Sequence, residues 1–387
     1  MAIILFDNQY RKSFFPITAT KALGNVRLGI LKLKDWWQLL LQQPVFIATE
    51  NYLQHLYPLA SKEEHIFIDA AILPDENLIQ KINELSTNQA LIDSTGVIAG
   101  KTTIDVTTFN PINFIQVFDN TMMYENVTRL KQPFHFFQYN EKVLKAQFTV
   151  LTKNKSPQKI SSTNKVVNEV DIFIEEGAIV EHCILNASTG FIYIGKNATV
   201  MEGSIIRGAF ALCENAVVKA GAKIYGATTI GANAVAGGEI KNAIIGDYSN
   251  KAHDGYLGDS IIGEWCNLGA GTSNSNVKNN AGDVLLWNNY FNQYENAGKK
   301  CGVVMGDYSR TAINTSVNTG SNIGVCCNVF GVGLMPTLLN HFSWGIDKQS
   351  KYKLDKAMVD INNWKQFKGK QISEDEVMVL KYIFEHL

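Results

Sequence analysis

The sequence predicts a parallel β-helix that follows an α/β domain and is itself followed by helices. Three observations predict this architecture. A hexad pattern recurs between Ile174 and Phe330, and several of its copies are separated by the length of three hexads. The chain before this stretch alternates β-type apolar runs with segments of helical spacing, and the chain after it is helical in pattern.

Each copy of the pattern begins with an aliphatic residue, usually continues with Gly, and has a small residue four positions after the start. The copies begin at Ile174, Ile194, Leu212, Ile230, Ile245, Ile262, Met305 and Ile323. Three copies make one coil of three short strands, with the aliphatic side chains inside and Gly or Asn at corners that need positive φ. Stacked coils bury a continuous core, which predicts a parallel β-helix. The alternative, a Gly-rich β-sandwich, is disfavoured because its strands alternate with period two.

The N-terminal part of the chain has the pattern of an α/β layer fold. The predicted strands are Ile3–Phe6, Val45–Ala48, Ile66–Asp69, Ala90–Ile92, Val97–Ala99, Phe114–Phe118 and Phe148–Leu151. The predicted helices cover residues 28–41, 51–59 and 75–85. Strands that alternate with helices indicate a largely parallel sheet.

The domain boundaries follow from changes in composition. We expect an α/β domain over 1–155, a linker over 156–169, a β-helix over 170–335 and a helical tail over 336–387. Asn274–Lys300 carries aromatic residues and no hexads, so it is predicted to be a loop extruded from one coil. The tail contains a helical pattern over Tyr352–Phe367, and Ser373 with Glu376 forms a capping box that opens a second helix. We expect these helices to cap the end of the β-helix or to contact a neighbouring subunit.

Composition excludes several classes of function. The net charge is -1 and the pI is about 6.7, which argues against a nucleic-acid or membrane-surface partner. The six cysteines include no C-x-x-C pair, so a zinc site is not expected, and half of them fit small hexad positions. No residue is assigned as a metal ligand. No apolar run approaches the ~18 residues that span a bilayer. We therefore expect a cytoplasmic protein.

The polar segment from Glu239 to Thr272 is the predicted site of chemistry. Glu239, His253 and Asn267 are evenly spaced, each by a little less than one turn, so they are expected to share a face. The imidazole of His253 could take the proton that an attacking amine sheds. Lys241 and Lys251 could hold a phosphate, although a solvated surface position is the ordinary alternative for a lone His or Lys. The backbone amides of residues 269–271 could meet an oxyanion or the phosphates of a carrier.

These residues carry a resemblance to a known family. The run Ser249-x-Lys251-x-His253-x-x-Tyr256-Leu-Gly-Asp259, followed by Asn267-x-Gly-Ala-Gly-Thr272, resembles the acetyltransferase half of the bifunctional N-acetylglucosamine-1-phosphate uridyltransferase / glucosamine-1-phosphate acetyltransferase. The resemblance implies a left-handed β-helix and a homotrimer with active sites between subunits. It also implies acetyl-CoA as co-substrate and a place in UDP-N-acetylglucosamine biosynthesis for the cell wall.

The resemblance also implies roles for individual residues. His253 matches the general base and Glu239 its partner carboxylate. The predicted sugar-phosphate contacts are Lys219, Lys241, Lys251, Tyr256, Asn267 and Asn276, and the predicted acetyl-CoA contacts are Gly269, Ala270 and Gly271. The chain departs from the family at Val277, where the family has a tyrosine.

The N-terminal part resembles a Rossmann-like sugar nucleotidyltransferase in a divergent form. Its first turn, residues 6–12, contains no glycine, although Gly-rich turns usually hold the triphosphate. Asp7, Arg11, Lys21 and Arg27 are the predicted nucleotide contacts. Mg²⁺ is expected only if this domain is active, because the Gly-Asp dipeptide that usually holds the ion is lacking. A surface turn with scattered cations is the alternative interpretation.

Three hypotheses of function remain. In the first, the β-helix acetylates an amino-sugar 1-phosphate and the N-terminal domain joins a sugar 1-phosphate to a nucleotide from UTP or another triphosphate. In the second, only the N-terminal domain is catalytic and the β-helix is a trimerising scaffold. In the third, the protein is an inactive sensor of sugar phosphates.

Overall fold

The computed structural model describes residues 1–106, 109–347 and 349–387. Its helices are α1 Leu33–Leu41, α2 Asn51–Gln54, α3 Glu76–Asn83, α4 Phe134–Thr152, α5 Leu354–Phe367 and α6 Glu374–His386. Short 3-10 helices cover Arg11–Phe14, Leu23–Asn25, Phe114–Val117 and Glu169–Asp171. The predicted capping box of α6 is confirmed, since Ser373 and Glu376 bond reciprocally.

The N-terminal domain is built on a six-stranded sheet. In spatial order its strands are Val45–Ala48, Ile3–Phe6, His65–Asp69, Gly96–Thr102, Gln89–Asp93 and Asn120–Met123. The first three are parallel, but Gly96–Thr102 runs antiparallel to both of its neighbours. Two short pairs, Arg27–Leu28 with Leu31–Lys32 and Ile72–Leu73 with Thr128–Arg129, complete the domain. The sheet is therefore mixed, because a hairpin follows the parallel part.

Two predicted strands of this domain are wrong. Phe114–Val117 forms a 3-10 helix, and residues 148–151 lie in α4. The apolar run at Phe148 continues the buried side of that helix with Leu144, one turn earlier, and its ring stacks on Phe191 at 4.3 Å. A short apolar run does not distinguish a strand from the end of a long buried helix.

The predicted parallel β-helix is confirmed, and it is left-handed. Its strands are Lys165–Val167, Ile172–Ile174, Ile179–Val180, Ile184–Asn186, Ile192–Ile194, Thr199–Val200, Ile205–Arg207, Phe210–Leu212, Val217–Val218, Lys223–Tyr225, Thr228–Ile230, Val235–Ala236, Glu239–Ile245, Asn250–Lys251, Tyr256–Ile262, Asn267–Leu268, Ser273–Asn274, Val303–Met305, Arg310–Thr311, Ser316–Val317, Ser321–Ile323, Asn328–Val329 and Leu338–Leu339. The hexad residues Ile194, Leu212 and Ile230 are direct partners in the ladder and are fully buried. The spacing of three hexads is thus one coil.

The β-helix extends beyond its expected limits. Lys165–Val167 pairs with Ile184–Asn186, so the first strand lies inside the segment expected to be a linker. At the other end Leu338–Leu339 pairs with Ser321–Ile323. The polar composition that suggested a linker belongs to an edge coil whose outer side chains are solvated.

The insertion at 274–300 is an antiparallel hairpin of Leu285–Asn288 and Gln293–Asn296. It packs on the N-terminal domain: the Tyr290 ring lies edge-on to Tyr10 at 5.2 Å, and Asn289 donates to the carbonyl of Phe15 at 3.5 Å. The predicted extruded loop is therefore a hairpin that joins the β-helix to the N-terminal domain.

The two domains share one hydrophobic core. Ile244, Ile261 and Val304 of the β-helix pack with the side chains of the N-terminal domain. Polar bonds fix α4 at this junction, since Asn140 donates to the carbonyl of Ala227 at 2.8 Å and Gln147 accepts from the amide of Ile30 at 2.6 Å. Both amide side chains are completely buried, so these bonds orient the helix specifically.

Ionic contacts form a second part of this junction, which we call the junction cluster: Lys21, Arg27, Lys32, Asp247, Glu264 and Asp307. Lys21 lies 2.8 Å from Asp307 and 3.2 Å from Glu264. Arg27 makes two bonds to Asp247, at 2.9 and 3.1 Å. The three acids are the third residues of hexads, so stacked coils place them in one row that faces the three cations.

The C-terminal helices pack beside the β-helix rather than on its end. Tyr308 donates to Glu376 of α6 at 2.8 Å, and the guanidinium of Arg310 lies over the Trp364 ring of α5. α6 also reaches the N-terminal domain, where Tyr382 stacks on Tyr52 at 4.2 Å. The tail therefore joins both domains.

All six cysteines are unbridged and buried. Within residues 1–106, 109–347 and 349–387, no helix combines the length and the apolarity that crossing a bilayer requires.

Candidate active site

Polar side chains form two adjacent columns on one face of the β-helix. In the first column, Lys223, Glu239 and Tyr256 are partners in the ladder. In the second column, Tyr225 and Lys241 are partners. Inward residues between them are buried aliphatics, so alternation along each strand directs these five side chains outward. We call this surface the polar face.

His253 lies at the corner that precedes the polar face, between Asn250–Lys251 and Tyr256–Ile262. Its carbonyl oxygen lies only 2.8 Å from where a Cβ on Gly238 would stand, and Gly238 has φ of +74°, so this close approach of coils requires glycine. The corner therefore rests against the residue that precedes Glu239. The imidazole is exposed and makes no hydrogen bond to a residue that the structure describes.

The expected pairing of Glu239 with His253 is not made within the chain. Glu239 accepts a hydrogen bond from the hydroxyl of Tyr225 at 2.5 Å instead. This bond raises the pKa of Tyr225 to about 12. The tyrosine of the neighbouring coil is the donor to Glu239, and the His253 imidazole has no hydrogen-bond partner among the described residues.

Lys251 is a buried core residue and does not hold a phosphate. Its side chain points into the β-helix in a column with Val218, Ala236 and Leu268. The ammonium donates to the carbonyl of Gly237 at 3.1 Å and to the carbonyl of His253. Lys251 is 1% exposed, and burial lowers its pKa to about 8. It therefore holds the corner that carries His253.

Stability should depend on pH through Lys251. The unfolded chain holds this proton up to about pH 10.5 and the folded chain only to about pH 8, so the free energy of unfolding should rise between these values, by about 3 kcal/mol for this group. Lys251→Met should lack that part of the increase. Urea unfolding at pH 7.5 and 10 measures it in both proteins, and equal pH dependence would contradict the assignment.

Tyr256 and Asn276, two of the predicted sugar-phosphate contacts, lie within hydrogen-bond distance of each other. The amide of Asn276 donates to the Tyr256 hydroxyl at 3.2 Å and to the carboxylate of Asp259. Asn242 donates to the other oxygen of Asp259 at 2.7 Å. Asp259 thus orients both amides at the edge of the polar face, a role that the sequence did not reveal.

Other predicted contacts lie elsewhere. Asn267 pairs with Asn250 and Arg310 on a different side of the β-helix from Glu239, because Glu239 pairs with Lys223 and Tyr256. The shared face inferred from the even spacing is therefore wrong for Asn267.

Lys219 lies close to the corner that carries His253. A Cβ on Gly237 would stand 3.2 Å from the Cβ of Lys219 and 2.4 Å from the carbonyl oxygen of Ala252, the residue before His253. The amide of Gly269 donates to the carbonyl of Thr311 at 3.2 Å, and that of Gly271 to the carbonyl of Asp254 at 3.0 Å. These two amides are used by the stacking of coils, while Ala270 makes no such amide bond to a described residue.

The four predicted nucleotide contacts separate into two groups. Asp7 and Arg11 line a pocket at the carboxyl end of Ile3–Phe6, whereas Lys21 and Arg27 belong to the junction cluster. Lys21 and Arg27 are thus paired with carboxylates of the β-helix. Burial raises the pKa of Asp7 to about 6, although Arg11 beside it acts in the opposite direction.

The carboxylates at this edge do not fit Mg²⁺. The Asp69 carboxylate accepts from Asn8 at 2.8 Å and from the amide of Ala71 at 2.9 Å, and also bonds to Arg129. Asp7 is paired with Arg11 at 3.0 Å. Among the described residues, no group of three or more His, Cys, Asp or Glu side chains could hold a metal ion. Fixed guanidinium groups occupy the positions that a cation would need.

Sequence reasoning missed Lys223 and Tyr225. Lys223 precedes its ladder partner Glu239 in the sequence by slightly less than one full coil. This spacing is the signal from which the position of Lys223 beside Glu239 could have been predicted. It also missed Tyr290 and Tyr382, which close the N-terminal pocket from the hairpin and from α6. No local pattern reports contacts over such separations.

The fold defines a two-domain protein with an N-terminal α/β domain and a left-handed β-helix of hexapeptide repeats. Residues 3–156 match a family model described as sugar nucleotidyl transferase. The resemblance drawn from the sequence is confirmed, since this chain has relatives among bifunctional sugar-1-phosphate nucleotidylyltransferase/acetyltransferases.

Three relatives illustrate the similarity. The bifunctional protein GlmU of Methanocaldococcus jannaschii is 36% identical over 89 residues, 23% of this chain and 21% of that protein. The bifunctional sugar-1-phosphate nucleotidylyltransferase/acetyltransferase of Sulfurisphaera tokodaii is 32% identical over 92 residues, 24% of this chain and 23% of that protein. GlmU of Picosynechococcus sp. is 27% identical over 155 residues, 38% of this chain and 27% of that protein.

The chain spans about a fifth of the length of the first of these relatives. Among solved structures, a hexapeptide transferase family protein from Anaplasma phagocytophilum matches with a TM-score of 0.14 and 12% identity, over 58% of this chain and 93% of that one.

Proposed function

We propose that the β-helix transfers an acetyl group from acetyl-CoA to the amine of an amino-sugar 1-phosphate, with glucosamine 1-phosphate as the first candidate. One observation carries this proposal: an exposed imidazole, bonded to no residue that the structure describes, stands beside the polar face, which presents two lysines, a carboxylate and two tyrosines. The set combines a base with groups that bind phosphate and hydroxyls.

Each residue has a role in the proposed reaction. The amine nitrogen attacks the acetyl carbonyl, its bond to carbon forms, and the carbon–sulfur bond of the thioester breaks. His253 takes the proton that the amine loses and returns it to the leaving thiolate. Lys223 and Lys241 bind the phosphate, with Lys219 at the same corner. Tyr256 and Asn276 bind sugar hydroxyls, while Glu239 and Tyr225 hold each other in place.

A homotrimer fits this assignment. Ile184 and Ile205, 38% and 43% exposed, continue the column of Lys223 and Glu239 along the same face. An exposed aliphatic stripe beside a polar site suits contact with a second copy of the chain, which would complete the site and contribute to acetyl-CoA binding. Light scattering of the purified protein measures the mass of the assembly.

The family match favours a second candidate, nucleotidyl transfer to a sugar 1-phosphate by the N-terminal domain. UTP would be the first triphosphate to test. The alternatives are that only this domain is catalytic, or that the protein senses sugar phosphates without turnover.

One assay separates these candidates. The purified chain is incubated with glucosamine 1-phosphate, acetyl-CoA and UTP, and free thiol and pyrophosphate are measured separately. Release of thiol that requires the amino-sugar phosphate supports acetyl transfer. Release of pyrophosphate alone would favour a non-catalytic β-helix, and binding without either product would favour a sensor.

A further inference from the structure

A cavity of about 220 Å³ lies where four segments of the chain meet between the two domains. The N-terminal domain lines it with Lys12, Phe15 and Pro16, and its other walls come from the hairpin, the last coils of the β-helix and the end of α6. None of the described residues that line it also lines the pocket at the carboxyl end of Ile3–Phe6. We call this cavity the interface pocket.

His341 gives the interface pocket one fixed hydrogen-bond donor. It follows Leu338–Leu339 of the β-helix, and its ring lies edge-on to Phe15 at 6.0 Å. The ring nitrogen Nδ1 accepts a hydrogen bond from the backbone amide of Val325 at 2.9 Å. Burial, together with Lys351 nearby, lowers the pKa of His341 to about 4, so the ring is neutral at pH 7. Its one proton is therefore on Nε2, and this N–H bonds to no described residue.

Lys12 supplies a positive charge at the same cavity. Its side chain is exposed, and its ammonium pairs with no described carboxylate. The described residues that line the cavity include no Asp and no Glu. The preceding residue, Arg11, is directed to the other pocket, where it pairs with Asp7 and Glu50. A cation without a counter-ion beside a neutral N–H donor favours an anionic ligand.

Asparagine side chains complete the polar lining. Asn322, 2% exposed, donates to the carbonyls of Phe15 at 3.4 Å and Trp287 at 3.1 Å, which fixes its amide. Its Oδ1 accepts from no described residue, although an acceptor on so buried a side chain is normally satisfied. Asn292 and Asn340 also line the cavity, and their side-chain amides bond to no described residue. These groups suit the hydroxyls of a ligand.

We propose that the interface pocket binds a phosphate group, either as inorganic phosphate or as the monoester of a small polyol. The phosphate oxygens accept bonds from the ammonium of Lys12 and from Nε2 of His341, and the hydroxyls of an ester bond to Asn322. Because Lys12 belongs to the N-terminal domain and His341 to the β-helix, the ligand bridges the two domains and stabilises their contact. This binding does not depend on acetyl transfer or nucleotidyl transfer.

Isothermal titration of the full chain at pH 7.5 and constant ionic strength tests the proposal with inorganic phosphate, glycerol 3-phosphate and glycerol. We expect saturable binding of inorganic phosphate or of both anions, and none of glycerol. If only the ester binds, the ligand is a monoester. Lys12→Met should weaken anion binding about tenfold to a hundredfold, whereas Lys12→Arg keeps the charge and should restore most of it. His341→Asn loses the Nε2 donor but keeps an oxygen for the amide of Val325, and should weaken binding about tenfold.

Two further variants exclude other sites. Lys155→Met, at an exposed position outside the cavity, is the matched control for Lys12→Met and should leave binding unchanged. Lys223→Met combined with Lys241→Met removes the lysines proposed to bind phosphate at the polar face. The binding that depends on Lys12 should persist in this double variant.

Four results would overturn the proposal. The first is absence of binding of both anions in a protein whose circular dichroism shows that it is folded. The second is unchanged affinity in folded Lys12→Met or in folded His341→Asn. The third is loss of all anion binding in the polar-face double variant, and the fourth is displacement of the anion by UTP, which would place it in the nucleotide site. Thiol and pyrophosphate release have no part in these outcomes, so failure of the proposed transferase activities is measured separately.

Discussion

Replacement of His253 by Asn is expected to slow acetyl transfer by about 10²- to 10⁴-fold, the usual contribution of a general base. An amide side chain has nearly the polarity of imidazole but cannot accept the proton of the attacking amine. Because the His253 side chain bonds to no described residue, the fold should be unaffected. The rate of thiol release at saturating acetyl-CoA and glucosamine 1-phosphate measures the effect on kcat.

His182→Asn is the matched control for this variant. His182 is also an exposed imidazole of the β-helix, and its φ of 53° is one that Asn tolerates. The control should keep the full rate. Loss of kcat in His253→Asn with unchanged KM for the sugar phosphate would assign His253 to the chemical step. Full activity in His253→Asn would refute its role as base.

The fold could be predicted because the hexads repeat a local rule. Each aliphatic residue at a hexad start is buried by the coils above and below it, so Ile194, Leu212 and Ile230 reveal the coil length directly. The mixed sheet could not be predicted in this way. A buried strand has the same apolar run whether its neighbour is parallel or antiparallel, and pairing depends on connections that the pattern does not encode.

The site could be predicted only in part, because coil length varies where the chemistry lies. Asn250 pairs with Val235 of the preceding coil and with Asn267 of the following coil, and the first of these two intervals is shorter in sequence than the second. A fixed spacing therefore assigns Asn267 to the wrong side. Tyr256 and Asn276, which the motif singled out, do lie in contact, because Asn276 donates to the Tyr256 hydroxyl. The inward ammonium of Lys251 could not be foreseen, because that column is otherwise apolar.

The junction cluster supports a second large prediction, on stability. Lys21→Met should lower the free energy of unfolding by about 3–5 kcal/mol, because it leaves the carboxylate of Asp307 buried without its cation and leaves Glu264 paired with Lys32 alone. The side chains of Lys21 and Asp307 are 8% and 4% exposed, so solvent screens the loss only weakly. Urea unfolding at pH 8 measures the difference.

Two further variants separate unpaired charge from lost packing. Lys32→Met removes a more exposed cation, at 18%, and should cost less than about 1 kcal/mol. Asp307→Asn added to Lys21→Met removes the unpaired charge. It keeps the side-chain oxygen that accepts a hydrogen bond from the backbone amide of Glu264, so the double variant should regain much of the lost free energy of unfolding. A double variant as unstable as Lys21→Met would show that packing, and not charge, causes the effect.

The pH dependence of Lys21→Met gives an independent criterion. Burial already raises the pKa of Asp307, and Lys21 opposes that shift. Without Lys21 the folded carboxyl should hold its proton to still higher pH, while the unfolded chain releases it near 3.8. Stability of the variant relative to the parent must then fall as pH rises through the interval between the parent's folded pKa and the higher folded pKa of the variant, so the deficit should be smaller at pH 5 than at pH 8. A deficit independent of pH would mean that Asp307 is not the group that Lys21 stabilises.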